Sequence, residues 1–233
     1  MSKPVCAVVG VGPGNGAALA RRFSKEGYAL ALLARSTGFC EQLAAELGDA
    51  RAFECDASLP ESVERAFSRV AEEMGEIDAL VYNAGSGTWG SIEEIDAKSF
   101  EMSWRVNTLG SLVAVQNVVP AMKRKGGGDI VFIGATASRR GGAKTAAFAS
   151  AKAAQRSLAE SMARHLWPDG IHVSLVIVDG VVDLPKTREQ MPDKPDSYFV
   201  SPDDLAEISF ALTRQPRSAW SFEVEARPFG EVW

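Results

Sequence analysis

Four glycines in seven residues, Gly10-Val11-Gly12-Pro13-Gly14-Asn15-Gly16, follow directly on the apolar run Val5–Val9 and open the amphipathic segment Ala17–Gly27. Glycines in this pattern let a backbone turn tightly and approach a phosphate, while the start of a helix offers unpaired N–H groups to its charge. With a strand before it and a helix after it, the loop reads as a cradle for a dinucleotide pyrophosphate rather than a simple turn. A second chemical group stands at the end of the next apolar run, Leu33-Ala34-Arg35-Ser36. An acidic residue there would bind a ribose 2′-hydroxyl; an arginine followed by a serine hydroxyl suits a 2′-phosphate, because a guanidinium fork pairs bidentately with phosphate oxygens. These residues predict NADP(H) in preference to NAD(H), the alternative being a solvated surface arginine.

The elements that must position these residues are legible as alternation. Apolar runs of strand length occur at Val5–Val9, Ala29–Leu33, Arg51–Cys55, Ala79–Tyr82, Ile130–Ile133 and His172–Val178, with a weaker one near Ser221–Glu225. Segments of helical spacing separate them, at about 15–26, 38–47, 60–74, 96–124, 146–167 and 202–213. Strands apolar on both faces that alternate with helices predict an α/β fold, a doubly wound parallel sheet with helices on both faces. Between Val181 and Val200, three prolines and no periodicity exclude a continuous helix. A long segment after a strand's C-terminal end is expected to be a substrate lid, with an ordinary surface loop as the alternative.

Composition narrows the class. A chain of 233 residues, 46% hydrophobic, fits one domain spanning residues 1–233. A net charge of −5 and no basic run longer than Lys123–Lys125 argue against a nucleic-acid or anionic-membrane partner. That run, followed by Gly126–Gly128, reads as the end of a helix. Cys6, Cys40 and Cys55 have neither metal-ligand spacing nor an even count, so they read as buried hydrophobes in a reducing compartment, and no metal is expected. The first apolar run is too short for a signal peptide or a membrane span, which points to the cytoplasm.

Further residues fall in line with the glycine loop, and in this order the chain resembles the short-chain dehydrogenase/reductase family over essentially its whole length. Gly10, Gly14 and Gly16 match the family's glycine motif, and Asp56 its adenine-contacting aspartate. Asn83-Ala84-Gly85 match its Asn-Ala-Gly turn, Asn107 its active-site asparagine and Lys152 its lysine. The resemblance implies that Asn15, Arg35, Ser36, Ala57, Gly180 and Val181 join these glycines, Asp56, the 83–85 turn and Lys152 around the cofactor. It also implies that Asn107 and Lys152 belong to the catalytic set, and that the chain forms a homodimer or homotetramer by pairing the helices at about 96–124 and 146–167.

The catalytic set is incomplete. In that family a tyrosine four residues before the lysine exchanges the proton, and a serine thirteen residues earlier orients the substrate oxygen; here those positions are Phe148 and Ala135. Neither side chain can exchange a proton. Nearby, Asp179-Gly180 replaces the family's Pro-Gly, Leu184 replaces a threonine that helps clamp the cofactor, and Val9 replaces the threonine of the glycine motif. A general acid contributes roughly 10²–10⁴ in rate, so its loss slows carbonyl reduction without forbidding hydride transfer. An iminium, or an activated alkene whose carbanion takes its proton from water, would be less affected. Thr136, Ser138, Lys144, Thr145, Asp183, Tyr198 and Lys152 are the substitutes by sequence proximity, and Tyr198 is the best placed phenol.

Three functions remain open at this level: an NADP(H)-dependent oxidoreductase of this type with non-standard proton delivery, a catalytically silent NADP(H)-binding sensor or partner subunit, and a fold that binds no dinucleotide. A lid closing over a pocket with convergent polar groups would favour the first, and a filled apolar slot beside Phe148 the second.

Overall fold

In a computed structural model, which describes residues 3–230, the sheet strands are β1 (Val5–Val9), β2 (Ala29–Ala34), β3 (Ala50–Glu54), β4 (Ile77–Tyr82), β5 (Gly128–Ala135), β6 (Ile171–Val178) and β9 (Glu223–Ala226). They pair in the order β3-β2-β1-β4-β5-β6-β9, all parallel. Two short strands, β7 (Val181–Val182) and β8 (Phe199–Val200), pair separately. The helices are α1 (Asn15–Lys25), α2 (Gly38–Leu47), α3 (Pro60–Met74), α4 (Ala97–Trp104), α5 (Gly110–Lys125), α6 (Ala146–Leu166), α7 (Pro185–Gln190) and α8 (Pro202–Thr213).

The apolar strands are what the sheet requires, because both faces are covered. Val5, Ala7 and Val9 of β1 join the core beneath α3, α5 and α6, while Cys6 and Val8 face α1, α2 and α8. On the second face Phe23 of α1 is fully buried between the edges of the Tyr28 and Phe210 rings. Burying a ring of that size contributes roughly 1.5–3 kcal/mol. Local signals start the helices: Asp96 accepts from the Ser99 amide to cap α4, Ser201 from the Asp204 amide to cap α8, and Pro60 and Pro202 open α3 and α8. The basic run Lys123–Lys125 ends α5, and Gly126 closes it with φ +74°, in the left-handed region.

One expectation needs correction. The helix expected over 96–124 is interrupted by a π-helical turn at Arg105–Leu109, which separates α4 from α5. Within 181–200, where the sequence excludes a continuous helix, β7, α7, a short turn and β8 fold back on each other, and Arg188 ties Asp183 to Asp196. Of the C-terminal aromatic residues, Trp220 stacks on His172 with ring centroids 4.6 Å apart, Phe222 packs on the core, and Phe229 is exposed. Trp233 lies outside the described residues.

The sheet order reverses between β1 and β4, the switch point where doubly wound sheets hold their ligands at the strands' C-terminal ends. Val9 pairs with Leu33 on one side and Tyr82 on the other, so Gly10, Ala34 and Asn83 leave the sheet side by side.

Candidate functional site

The glycine loop is built for close approach. Gly10 has φ +89°, and a Cβ on it would meet the Ala84 backbone at 2.5 Å; a Cβ on Gly16 would meet the Gly10 carbonyl oxygen at 2.7 Å. Substituents are excluded at both positions, and the loop is locked from its flanks. The Gly10 amide donates to the Leu33 carbonyl (2.8 Å), and Asn83 donates from Nδ2 to the Gly10 carbonyl (2.7 Å). Asn15 begins α1 with its buried Oδ1 lacking a partner.

A groove of about 920 Å³ runs from this loop across the ends of β1–β4, lined by Gly10, Arg35, Ser36, Asp56, Ala57 and the 83–85 turn, among others. Asp56 is fixed by the Ser58 amide (2.9 Å) and hydroxyl (2.7 Å), both donating to Oδ1. Arg35 and Ser36 are exposed at the groove's outer end. An arginine so placed is free to turn toward a phosphate.

A second cavity of about 720 Å³ shares Asn83, Gly85 and Gly87 with the groove, and it contains Asn15, Ala135, Phe148, Lys152 and Gly180 in its wall. Its apolar side is Phe148 with Trp89, whose rings lie 5.5 Å apart at 40°. Lys152 is 4% exposed on α6. Its Nζ donates to the Ile133 carbonyl (2.8 Å) and to Gln155 Oε1 (3.0 Å), and burial lowers its pKa to about 7. Gln155, fully buried, donates from Nε2 to the Asn107 carbonyl (2.8 Å). Asn107 lies in the π-helical turn, a wider turn of the kind found at functional sites. Its Nδ2 donates to the Ser103 and Ser86 carbonyls (2.8 and 3.1 Å), whereas its Oδ1 is buried without a partner.

The sequence-expected residues thus largely converge, with exceptions. Gly14 is covered by Leu184, whose Cδ2 would lie 2.5 Å from a Cβ there. Val181 is half-buried in β7, while its neighbours Gly180 and Val182 face the cavity. Tyr198, the phenol expected to be best placed, packs edge-on against Phe199 under the Lys194 ammonium and is absent from the cavity wall. Asp183 is committed to Arg188, and Ser138 accepts from the Ala135 amide. Thr136 and Thr145 do line the cavity, but their hydroxyls donate to Asp179 Oδ1 (2.5 Å) and to the Gly142 carbonyl (3.0 Å). Asp179 is buried and also pairs with Arg227 and Arg140. Sequence reasoning missed Trp89, Gln155 and the Asp179–Arg227 pair. Gln155 carried a signal, since it stands one helical turn after Lys152 and so shares its face.

Comparison with known proteins assigns this arrangement to a class. Residues 4–195 match the family model described as short chain dehydrogenase, and the chain belongs to that family of oxidoreductases. An uncharacterized oxidoreductase of Staphylococcus saprophyticus is 27% identical over 229 residues, covering 96% of this chain and 97% of its own. The uncharacterized oxidoreductase YuxG of Bacillus subtilis is 29% identical over 88% of this chain, which spans only 31% of YuxG. Among solved structures, a short-chain dehydrogenase from Rhodopseudomonas palustris superposes with a TM-score of 0.84 at 31% identity, covering 97% of this chain and 99% of that one. A metagenomic short-chain oxidoreductase in complex with NADP superposes with a TM-score of 0.85 at 27% identity, covering 99% of both chains.

Proposed function

We propose that this protein is an NADP(H)-dependent oxidoreductase that transfers hydride to or from a small, largely apolar substrate, with proton delivery that does not use positions 135 and 148. The observation that carries the reading is the open cavity beside Phe148, continuous with the groove through Asn83 and Gly85 and bearing Lys152 in its wall. The residues also suit the dinucleotide: glycines that admit no Cβ, buried Asn15 and Asn107 oxygens without partners, and Arg35 and Ser36 where a 2′-phosphate would lie. The NADP complex of the metagenomic relative supports the same cofactor. In this reading Gly10, Gly14, Asn15, Gly16, Asp56, Ala57, Ala84, Gly85, Gly180 and Val181 surround the dinucleotide, and Lys152 and Asn107 serve its nicotinamide end. When bound, the cofactor supplies the hydride; the protein binds, orients and excludes water.

The reading extends to one dinucleotide-binding domain over residues 1–233, a lid at 181–200, a homodimer or homotetramer through the long helices, and a cytoplasmic location. A second reading, a silent NADP(H) sensor or partner subunit, is favoured by one contact: Leu184 sits on Gly14, where the family places a threonine. The two separate in a screen of ketones, cyclic imines and enones that follows NADPH absorbance, after NADPH binding is established. Turnover of any member above the protein-free rate supports the oxidoreductase. Binding without turnover across all three classes supports the silent reading.

A further inference from the structure

We propose that Arg140 is a specificity-determining residue, which selects substrates that carry a carboxylate on an otherwise apolar ketone, imine or enone. This deepens the oxidoreductase reading above and rests on it. Arg140 stands in the wall of the cavity that holds Phe148 and Lys152, and it is absent from the lining of the dinucleotide groove. Its place is therefore beside the substrate rather than beside the cofactor's phosphates.

The charge of the wall favours an anion. Among the described residues lining the cavity, the ionisable side chains are Lys152 and Arg140, and no carboxylate is present. Lys152 is 4% exposed and donates to the Ile133 carbonyl and to Gln155 Oε1, at 2.8 and 3.0 Å. The Arg140 side chain, by contrast, is 62% exposed. A cationic substrate would find no partner in this wall, and a neutral one would leave the arginine unused. An anion would gain a charge-assisted pair.

Arg140 is held at its backbone and loose at its tip. Its amide donates to the Thr136 carbonyl (3.2 Å), and two residues on, the Gly142 amide and carbonyl both bond the Thr145 hydroxyl (2.7 and 3.0 Å). Among the described residues its guanidinium has one partner, Asp179 Oδ1 at 3.4 Å. That is longer than the roughly 2.7–3.2 Å usual for an N–H···O bond. The carboxylate is already served without it: the Thr136 hydroxyl donates to Oδ1 (2.5 Å), and Arg227 pairs with Oδ2. Thr136 lines the cavity, so the oxygen it shares with Arg140 sets the guanidinium against the same stretch of wall. The neighbouring arginines are committed elsewhere, Arg139 to Glu223 and Glu225, and Arg156 to Glu223. Turning Arg140 to a substrate therefore breaks one long contact and offers a planar fork of donors that matches a carboxylate.

The position also lowers the cost of burying an ion. With Gly141, Gly142 and Thr145, Arg140 lines both the cavity and an adjoining hollow of about 340 Å³, and so stands where the two meet. A carboxylate paired with a side chain so exposed keeps part of its hydration, which limits the desolvation penalty of the pair. The apolar surface of Trp89 and Phe148 is left for the body of the substrate.

The test uses matched aryl ketones, benzoylpropionate and benzoylbutyrate, each with its methyl ester. They are titrated by calorimetry into protein loaded with NADP⁺, so that no hydride is available. Wild type, Arg140→Gln and Arg140→Lys are compared, with cofactor binding and melting curves measured on the same samples. In the wild type at least one acid should bind roughly 10–100-fold more tightly than its ester, the range for a hydrogen bond to a charged group. The preference should vanish in Arg140→Gln, survive in part in Arg140→Lys, and shrink as salt is added to the wild type. The salt series needs no variant. Equal binding of acid and ester, binding of neither, or a preference that Arg140→Gln leaves intact overturns the proposal. A wild type that binds no NADP(H) overturns instead the oxidoreductase reading, and the substrate class with it. An Arg140-dependent preference supports the carboxylate site even where the screen above finds no turnover, so the two readings fail separately.

Discussion

Phe148 and Trp89 face one another at the edge of the cavity that holds Lys152 in its wall, ring centroids 5.5 Å apart and planes tilted by 40°. Phe148 supplies half of an aromatic wall at the position where the resemblance to the family implies a phenol. The hydroxyl is therefore absent from an otherwise formed surface, and restoring it requires a single oxygen. Phe148→Tyr, alone and with Ala135→Ser, is expected to raise kcat/KM for ketone reduction by roughly 10²–10⁴, the contribution of a positioned general acid. Steady-state kinetics with NADPH checks this, and an unchanged thermal midpoint shows that the variant is folded.

Asp179 is 2% exposed and joins three segments: Thr136 and Arg140 after β5, its own turn after β6, and Arg227 after β9. Removing its charge leaves the Arg227 guanidinium, itself shielded from solvent, with one carboxylate fewer. Asp179→Asn is expected to cost about 3–5 kcal/mol, the range for breaking a buried charge pair. Urea unfolding monitored by circular dichroism measures it.

Asp129 in β5 gives a pH signature. Burial pushes its carboxyl up to about 7, with Arg214 opposing only in part. Its pKa in the fold thus exceeds the unfolded value of about 3.9. The folded state binds more protons between those limits, so this group's contribution to stability falls as pH rises from about 4 to about 7. Asp129→Asn should leave stability nearly unchanged at the acid end and raise it by about 1–3 kcal/mol at pH 8. Denaturation at the two pH values tests the sign. A variant less stable than wild type at pH 8 contradicts it.

Gly10 combines a left-handed φ of +89° with an Ala84 backbone that a Cβ would meet at 2.5 Å. Gly10→Ala should therefore destabilise the protein by about 1–3 kcal/mol and weaken NADPH binding, both readable from melting curves with and without the nucleotide.

Much of this arrangement was legible in the sequence because strand and helix periodicity, glycine spacing and the order of Asn83, Asn107 and Lys152 are local signals. The strands appear within a residue or two of their expected ends, and Gly10, Gly12 and Asp56 line the groove while Lys152 lies in the cavity wall. The π-helical turn escaped because its residues keep a helical pattern while their hydrogen bonds change partners. Tyr198 was misplaced because nothing in a run of prolines reveals which side of a folded-back segment a ring will face. The Asp179–Arg227 pair spans 48 positions, beyond any local pattern.

Whether Arg35 and Ser36 hold the 2′-phosphate of NADP(H) is read from calorimetry at one fixed salt concentration. NADPH and NADH are titrated into the wild type and into Arg35→Ala. NADPH should bind more tightly than NADH, and Arg35→Ala should weaken NADPH alone, by about 1.5–3 kcal/mol for a charge-assisted phosphate contact. Equal affinity for the two nucleotides would contradict the NADP(H) assignment, and binding of neither would contradict the account of the whole site.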